Sequence, residues 1–241
     1  MLHKTKGIVL HTIKFNESSI ITKIYTADFG LQSFLVKGVR SSGKTGRASL
    51  FGAMNILELE MYHREHKGLQ YLKEFRPAYL YKSIATDILK SSIALFLAEV
   101  LHKCIYEQEE NRKLYEYIEQ TLVALDESPK AESNLHLSFL LNLTKYLGFF
   151  PNSEAPDGFA YFDLQSGYFV SEFPAHAHFI GQPHCSNLKR LLSGEACFPM
   201  KNSERNFLLE KILQYYSLHL QDFRKVNSHL VLHEVLEAAD F

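Results

Sequence analysis

The most pointed chemical signature in the chain is Gly38-Val39-Arg40-Ser41-Ser42-Gly43-Lys44-Thr45. It satisfies G-x-x-x-x-G-K-[ST], the phosphate-cradling loop of nucleotide hydrolases. That chemistry needs a helix starting at the loop, so that its first amides and its dipole face the phosphates. A strand, Phe34 to Lys37, precedes the loop as required, but Gly46 follows at once, Gly52 comes soon after and strand-like alternation resumes at Asn55. No later βαβ units appear, and no apolar strand ends in a clear metal-binding Asp. The competing use is a Gly/Ser loop studded with positive charge that follows a sugar-phosphate backbone.

A second constellation, His176-x-His178 with His184-Cys185, puts four borderline or soft ligands within ten residues. Its spacing matches no common four-ligand zinc template. There is no G-x-S-x-G elbow, and no Cys or Ser has a recognisable partner pattern for nucleophilic catalysis. The third constellation is cationic and aromatic. Lys37, Arg40, Lys44 and Arg47 fall in a stretch, between Asp28 and Glu58, that contains no acid. Lys6, Lys14, Lys23, Lys73 and Arg76 add charge from other segments, and Tyr25, Phe34 and Phe51 lie near the basic loop in sequence. A positive groove with aromatic faces is how single-strand-binding barrels hold a backbone and stack its bases.

The elements that carry these residues change character once. Up to about residue 76 the period is two: Leu57, Leu59 and Met61 alternate with Glu58, Glu60 and Tyr62, as a half-buried antiparallel strand requires. Strands are expected near 6–13, 18–27, 31–39, 53–62 and 68–74, with Asp28-Phe29-Gly30 and His63–Gly68 closing hairpins. Five short strands without obvious helices between them suit a small closed barrel.

After Pro77 the period becomes helical. Ser83 is the expected N-cap of a first helix running to about Glu107, its apolar face traced by Ile84, Ile88, Phe96, Val100 and Cys104. Helices at about 110–125 and 133–147 follow, the latter stopped by Gly148 with Pro151 beyond. Residues 149–185 lose the period and read as an irregular, aromatic insert; helices resume at about 186–193, 203–222 and 227–238, with Ser186 and Ser203 as expected caps. The expected class is α+β multidomain: a five-stranded barrel over 1–80, then an all-α domain over 81–241 with that insert.

Composition sets the outer bounds. With 241 residues, the chain is long enough for one large or two modest domains. Its 46% hydrophobic and 22% charged residues are those of a folded protein rather than a disordered one. The longest apolar run, Ile93 to Leu101, contains Glu99 and is far short of a membrane span. Polar His11, Thr12 and Lys14 argue against a cleaved leader, and three cysteines cannot make a disulfide framework. A cytoplasmic, nucleoid-associated location with no membrane contact is expected. The formal net charge of −1 hides a split: residues 1–80 carry a net +6 and residues 81–241 a net −7. A basic module joined to an acidic one suggests a polyanion-binding part attached to something else.

The order of parts resembles the RecO family of bacterial DNA-repair recombination mediators. The resemblance rests on Lys6-Gly7-Ile8-Val9-Leu10, Asn16-Glu17-Ser18-Ser19-Ile20 running into Thr26-Ala27-Asp28-Phe29-Gly30, and Phe34–Val39 with the basic Arg40–Arg47 loop and Leu50-Phe51. Leu147-Gly148-Phe149-Phe150-Pro151 and Arg224-Lys225-Val226-Asn227-Ser228 continue it to nearly full length. It implies that the barrel is an OB fold, an oligonucleotide-binding one. It implies a non-enzymatic protein that binds single- and double-stranded DNA, anneals complementary strands and helps load the RecA recombinase onto DNA coated with single-strand-binding protein. RecR and the acidic, Phe-ending tail of the single-strand-binding protein are the implied partners. Many relatives hold zinc with two Cys pairs in the insert, whereas residues 149–184 here contain no Cys. No metal or cofactor is therefore expected, with Phe159, Tyr161, Phe162, Tyr168 and Phe169 packing the insert instead.

The expected DNA-contacting set is Lys6, Lys14, Lys23, Phe34, Lys37, Arg40, Lys44, Arg47, Lys73 and Arg76. Two other functions stay open on the residues alone: a nucleotide hydrolase using Lys44 and Thr45, and a protein adapter whose barrel does not bind nucleic acid. For the acidic tail, Lys189-Arg190, Arg205 with Lys211, and Arg224-Lys225 are equivalent candidates.

Overall fold

The computed structural model describes all residues except 40–44, 65–66, 196–197, 224 and 239–241, and also leaves out the side chains of 45 and 46. Within it the chain forms two compact units, 1–129 and 130–241.

Alternating patterns in the first unit form β1 (Leu2–Lys14), β2 (Ile20–Thr26), β3 (Gly30–Val36), β4 (Ile56–Tyr62) and β5 (Gln70–Pro77). They close into a barrel in the order β1-β2-β3-β5-β4. Closure is possible because β1 is long enough to serve two neighbours: Leu2–Ile8 pair with β4 and Gly7–Lys14 with β2. A bulge between Val9 and His11 bends it from one to the other. The last seam is the parallel pair Phe34↔Gln70 and Leu35↔Tyr71 between β3 and β5. Gly7 sits where β1 faces both partners, and a Cβ there would come within 2.5 Å of the Ile24 side chain. Inside, Val9, Ile20, Ile24, Phe34, Val36, Leu57, Leu59 and Met61 form the core, with Phe51 added from beyond a short helix, α1 (Thr45–Ser49), that the sequence pattern does not announce.

Two helices complete this unit, α2 (Ile88–Cys104) and α3 (Arg112–Glu127). The N-cap of α2 is Asp87, not Ser83: its carboxylate accepts from the Leu89 and Lys90 amides. Ile88 consequently falls on the outer side, 73% exposed, while Phe96, Val100 and Cys104 are buried. Ser83 belongs instead to a turn clamped by buried Asp126, which accepts from the backbone amides of Lys82, Ser83 and Ile84 and from the Tyr79 hydroxyl. Burial pushes the Asp126 carboxyl up, but those amides outweigh it and hold the group at about 2. Lys90, also buried, donates to Ser83 Oγ at 2.7 Å and to the Ser128 carbonyl at 2.5 Å.

The second unit opens with α4 (Leu135–Leu147), which ends at Gly148 in the left-handed region (φ 85°) as its sequence signal requires. The stretch read as irregular contains a three-stranded antiparallel sheet, β6 (Tyr161–Asp163), β7 (Tyr168–Val170) and β8 (Phe179–Gly181), in the order β7-β6-β8. Three-residue strands are too short to show a period, which is why the pattern misses them. Ring contacts join Phe159 and Phe162 to Phe169, and Tyr161 to Phe173 and Phe179. Tyr168 departs from expectation, standing 53% exposed. Then come α5 (His184–Leu192), α6 (Asn202–His219) and α7 (Ser228–Ala238). Ser186 and Ser203 lie inside α5 and α6 rather than capping them. Arg205 is buried, its guanidinium donating to Asn134 and Asn202 side chains and the Met200 carbonyl, and so it is not available to an anion from solvent. Among the described residues no helix is long and apolar enough to cross a membrane.

Candidate nucleic-acid interface

The barrel separates the basic residues into two groups. On one side, strand β4 presents Glu58 and Glu60 outward, and the register places Lys6 opposite Glu58 and Lys4 opposite Glu60 on β1, with Arg76 opposite Glu58 on β5. Salt bridges form across the Lys4–Glu60 and Arg76–Glu58 pairs, while Lys6 turns to α3. Lys4 and Lys73 reach Glu60 at 3.0 and 3.3 Å, Arg76 Nε donates to Glu58 at 2.6 Å, and Lys6 reaches Glu119 on α3 at 3.0 Å. The hydrogen bond from Lys4, opposed by partial desolvation and aided by Lys73, lowers the Glu60 carboxyl. Lys6, Lys73 and Arg76, expected as DNA contacts, therefore face carboxylates and form a nearly neutral ladder.

On the other side the cations have no such partners. Lys14 ends β1 opposite Ile20, and Ile20 in turn pairs with Val36 of β3, immediately before Lys37. Lys23 points outward from β2 between His11 and Ser33. Lys14, Lys23, Lys37 and Arg47 make no ion pair with a described residue. Lys37 Nζ lies 5.9 Å from the Tyr71 ring centre and the Arg47 guanidinium 4.9 Å from that of Phe75. His11 stacks on His102 of α2, and burial, reinforced by Lys23, pushes His102 down to about 4, so its ring is neutral near pH 7. Arg40 and Lys44 lie outside the described residues, as does most of the Gly38–Thr45 loop. That loop leads into the five-residue α1 and then β4, without the long helix of a nucleotide-hydrolase loop.

The stacking candidates are corrected. Phe34 is 0% exposed and cannot meet a base, because it shares the inward parity of Gln32 and Val36 on β3. Phe51 is buried in the same core. Tyr25 points outward but is covered by α3, stacking on Tyr115 and donating to the Asn111 carbonyl; burial raises its hydroxyl far above the usual range.

Other aromatic and basic residues, missed in the sequence, take their place on the surface. Phe15 is 56% exposed on the β1–β2 loop, which Asn16 pins by accepting from the Ser18 and Ser19 amides. Tyr62 and Tyr71 are 45% and 42% exposed on β4 and β5. Arg64 and Lys67 stand exposed on the β4–β5 loop, which buried Gln70 holds by bonds to the Arg64 amide and the Arg64 and Lys67 carbonyls.

In the second unit, the three histidines of the insert each lie against a different neighbour. His176 Nε2 is 3.3 Å from Asp163, His178 Nδ1 2.9 Å from Gln214, and His184 lies against the Phe207 ring. Cys185 is buried, its thiol pushed up to about 12 by desolvation. Among the described residues no three His, Cys, Asp or Glu side chains converge as a metal site.

A five-stranded barrel closed through a parallel β3–β5 seam, with exposed β1–β2 and β4–β5 loops beside its second and third strands, is the OB architecture. Residues 1–81 match the family model for the "Recombination protein O N terminal" region and residues 85–228 that for the "Recombination protein O C terminal" region. The chain belongs to the RecO family of DNA repair proteins, non-enzymatic recombination mediators. It is 38% identical over 239 residues to the DNA repair protein RecO of Phocaeicola vulgatus, covering 98% of this chain and 99% of that one. It is 37% identical over 238 residues to the RecO of Flavobacterium johnsoniae, covering 96% and 98%. With the RecO of Porphyromonas gingivalis it shares 31% over 232 residues, covering 92% and 94%.

Proposed function

We propose that this protein binds DNA through the β1–β2–β3 side of its barrel, anneals complementary strands and helps load a recombinase onto DNA coated with single-strand-binding protein. The observation that carries this reading is the set Lys14, Lys23 and Lys37, at the end of β1, on the outer face of β2 and just past β3, with no carboxylate partner among the described residues, while the cations of the β1–β4–β5 ladder are paired. Lysines without carboxylate partners lower the repulsion between two phosphate backbones, and base pairing then supplies the specificity. In this reading residues 1–80 are the nucleic-acid module, residues 81–241 contact proteins including RecR, and the protein acts in the cytoplasm at the nucleoid.

The acidic, Phe-ending tail of the single-strand-binding protein needs an apolar recess with cations at its rim. Lys211 and Lys225, each from a different candidate pair, line a groove of about 540 Å³ together with Leu213, Phe223 and Val226. The test of the main reading is binding of a labelled oligonucleotide across a salt series, and then annealing of complementary strands coated with single-strand-binding protein. Salt-insensitive or absent binding would make the chain a protein adapter instead.

A further inference from the structure

The barrel carries a feature that charge does not explain. Tyr62 and Tyr71 are directly opposite each other in the β4–β5 ladder. Their inward neighbours Met61 and Leu72 pack in the core, so the two tyrosines share the outer face. Both are more than two-fifths exposed, and neither hydroxyl has a hydrogen-bond partner among the described residues. Large rings left open on a strand pair are costly to keep in water, and a patch of this kind marks a contact surface. Its rim identifies the occupant. Lys37 lies over the Tyr71 ring, and Arg64 and Lys67 stand on the loop that joins the two strands. In the nearest acid row, Glu60 is held by Lys4 and Lys73, while Glu74, opposite it on β5, stands exposed with no ion pair among the described residues.

Resting on the DNA-binding reading, we propose that Tyr62 and Tyr71 form a stacking platform for two unpaired bases, so that this site selects single strands over duplex. Rings flanked by cations offer each nucleotide a face for its base and a charge for its phosphate. A duplex presents only backbone to such a surface, because its bases are already stacked within the helix. A second protein chain or a lipid surface would gain from the rings, but three cations at the rim of two open rings favour a nucleic-acid strand, which supplies both a base for each ring and a phosphate for each charge.

The experiment uses the full-length chain and three labelled probes of equal length: an oligo-dT, an abasic strand with the same phosphates, and a duplex. Tyr62→Thr and Tyr71→Thr keep strand propensity while removing the rings, and Tyr62→Phe with Tyr71→Phe keeps the rings. Each Thr change is expected to weaken oligo-dT binding by about 5- to 150-fold, the range for one lost stack. The abasic strand and the duplex should change by less than about 2-fold, the salt slope should hold, and the Phe pair should bind oligo-dT like the parent. Equal losses on all three probes, or none on any, would overturn the platform. So would a change in sedimentation of the Thr variants without a change in binding, which would make the patch a contact between copies. If the parent binds no probe in a salt-dependent way, the DNA-binding reading itself fails, a result distinct from failure of the platform alone.

Discussion

Two triple substitutions with the same change in net charge separate contact from background field. Lys14→Ala/Lys23→Ala/Lys37→Ala removes cations without carboxylate partners, and Lys6→Ala/Lys73→Ala/Arg76→Ala removes cations bound to Glu119, Glu60 and Glu58. For a single strand, each neutralised phosphate contributes about 0.7 to the slope of log affinity against log salt. If each of the first three lysines meets one phosphate, that triple flattens the slope by about 2. Between 50 and 200 mM salt the parent should then lose about 20-fold more affinity than the variant does. The second triple lowers the general potential equally, but the parent residues release few counterions because their charge is already spent on carboxylates. Its slope should change by less than about 1. Fluorescence anisotropy of a labelled oligo-dT across that salt range reads both slopes, and thermal melts check that both variants fold. A second triple that flattens the slope as much as the first would refute the assignment of the binding side. It would show that strand binding breaks the Lys6, Lys73 and Arg76 pairs.

The geometry leads to four other expected outcomes. Phe34→Ala should destabilise the chain by about 3–5 kcal/mol in urea unfolding, as a core aromatic does, with any loss of DNA binding tracking loss of fold. Asp126→Ala, which strands three backbone amides and the Tyr79 hydroxyl, should cost about 3 kcal/mol or more by the same measurement. Because the Asp126 carboxyl is held at about 2, below its unfolded value, its stabilisation is complete above about pH 4 and lost as pH falls toward 2. An acid titration of unfolding should lose that component in the Ala variant. Elemental analysis of the purified protein should find well under one zinc per chain, and a chelator should leave its melting temperature unchanged; about one zinc per chain would overturn the metal-free reading of the insert. Lys211→Glu with Lys225→Glu should abolish binding of an acidic Phe-ending peptide while leaving oligo-dT binding intact, and retained peptide binding would move the tail site elsewhere.

Much of this architecture is readable from the residues, and the misreadings have specific physical sources. Period two locates all five barrel strands, and the same parity places Phe34 inward, since Ser33 and Leu35 occupy the opposite face of β3. Nearness in sequence to the basic loop, which favours Phe34 as a stacking residue, carries less weight than that parity. Parity likewise turns Tyr62 outward, opposite in sense to Leu57, Leu59 and Met61, so one half of the platform is legible. The other half is not, because a bulge between Glu60 and Met61 shifts the register of β5 against β4, and an alternation count along β5 loses its phase there. Tyr25 shows the limit of parity itself: it faces outward beside Lys23, yet α3 covers it, and no local pattern says which barrel face a later helix will occupy. The same holds for the charges. That β4 lies beside β1, bringing Glu58 and Glu60 against Lys4 and Lys6, is a consequence of strand order in the closed barrel, whereas the residues themselves are more than fifty positions apart. A count of lysines and arginines over residues 1–80 reports a uniformly basic module. Closure of the sheet divides it into a ladder of paired charges on β1, β4 and β5 and a set of lysines, Lys14, Lys23 and Lys37, with no carboxylate partner among the described residues.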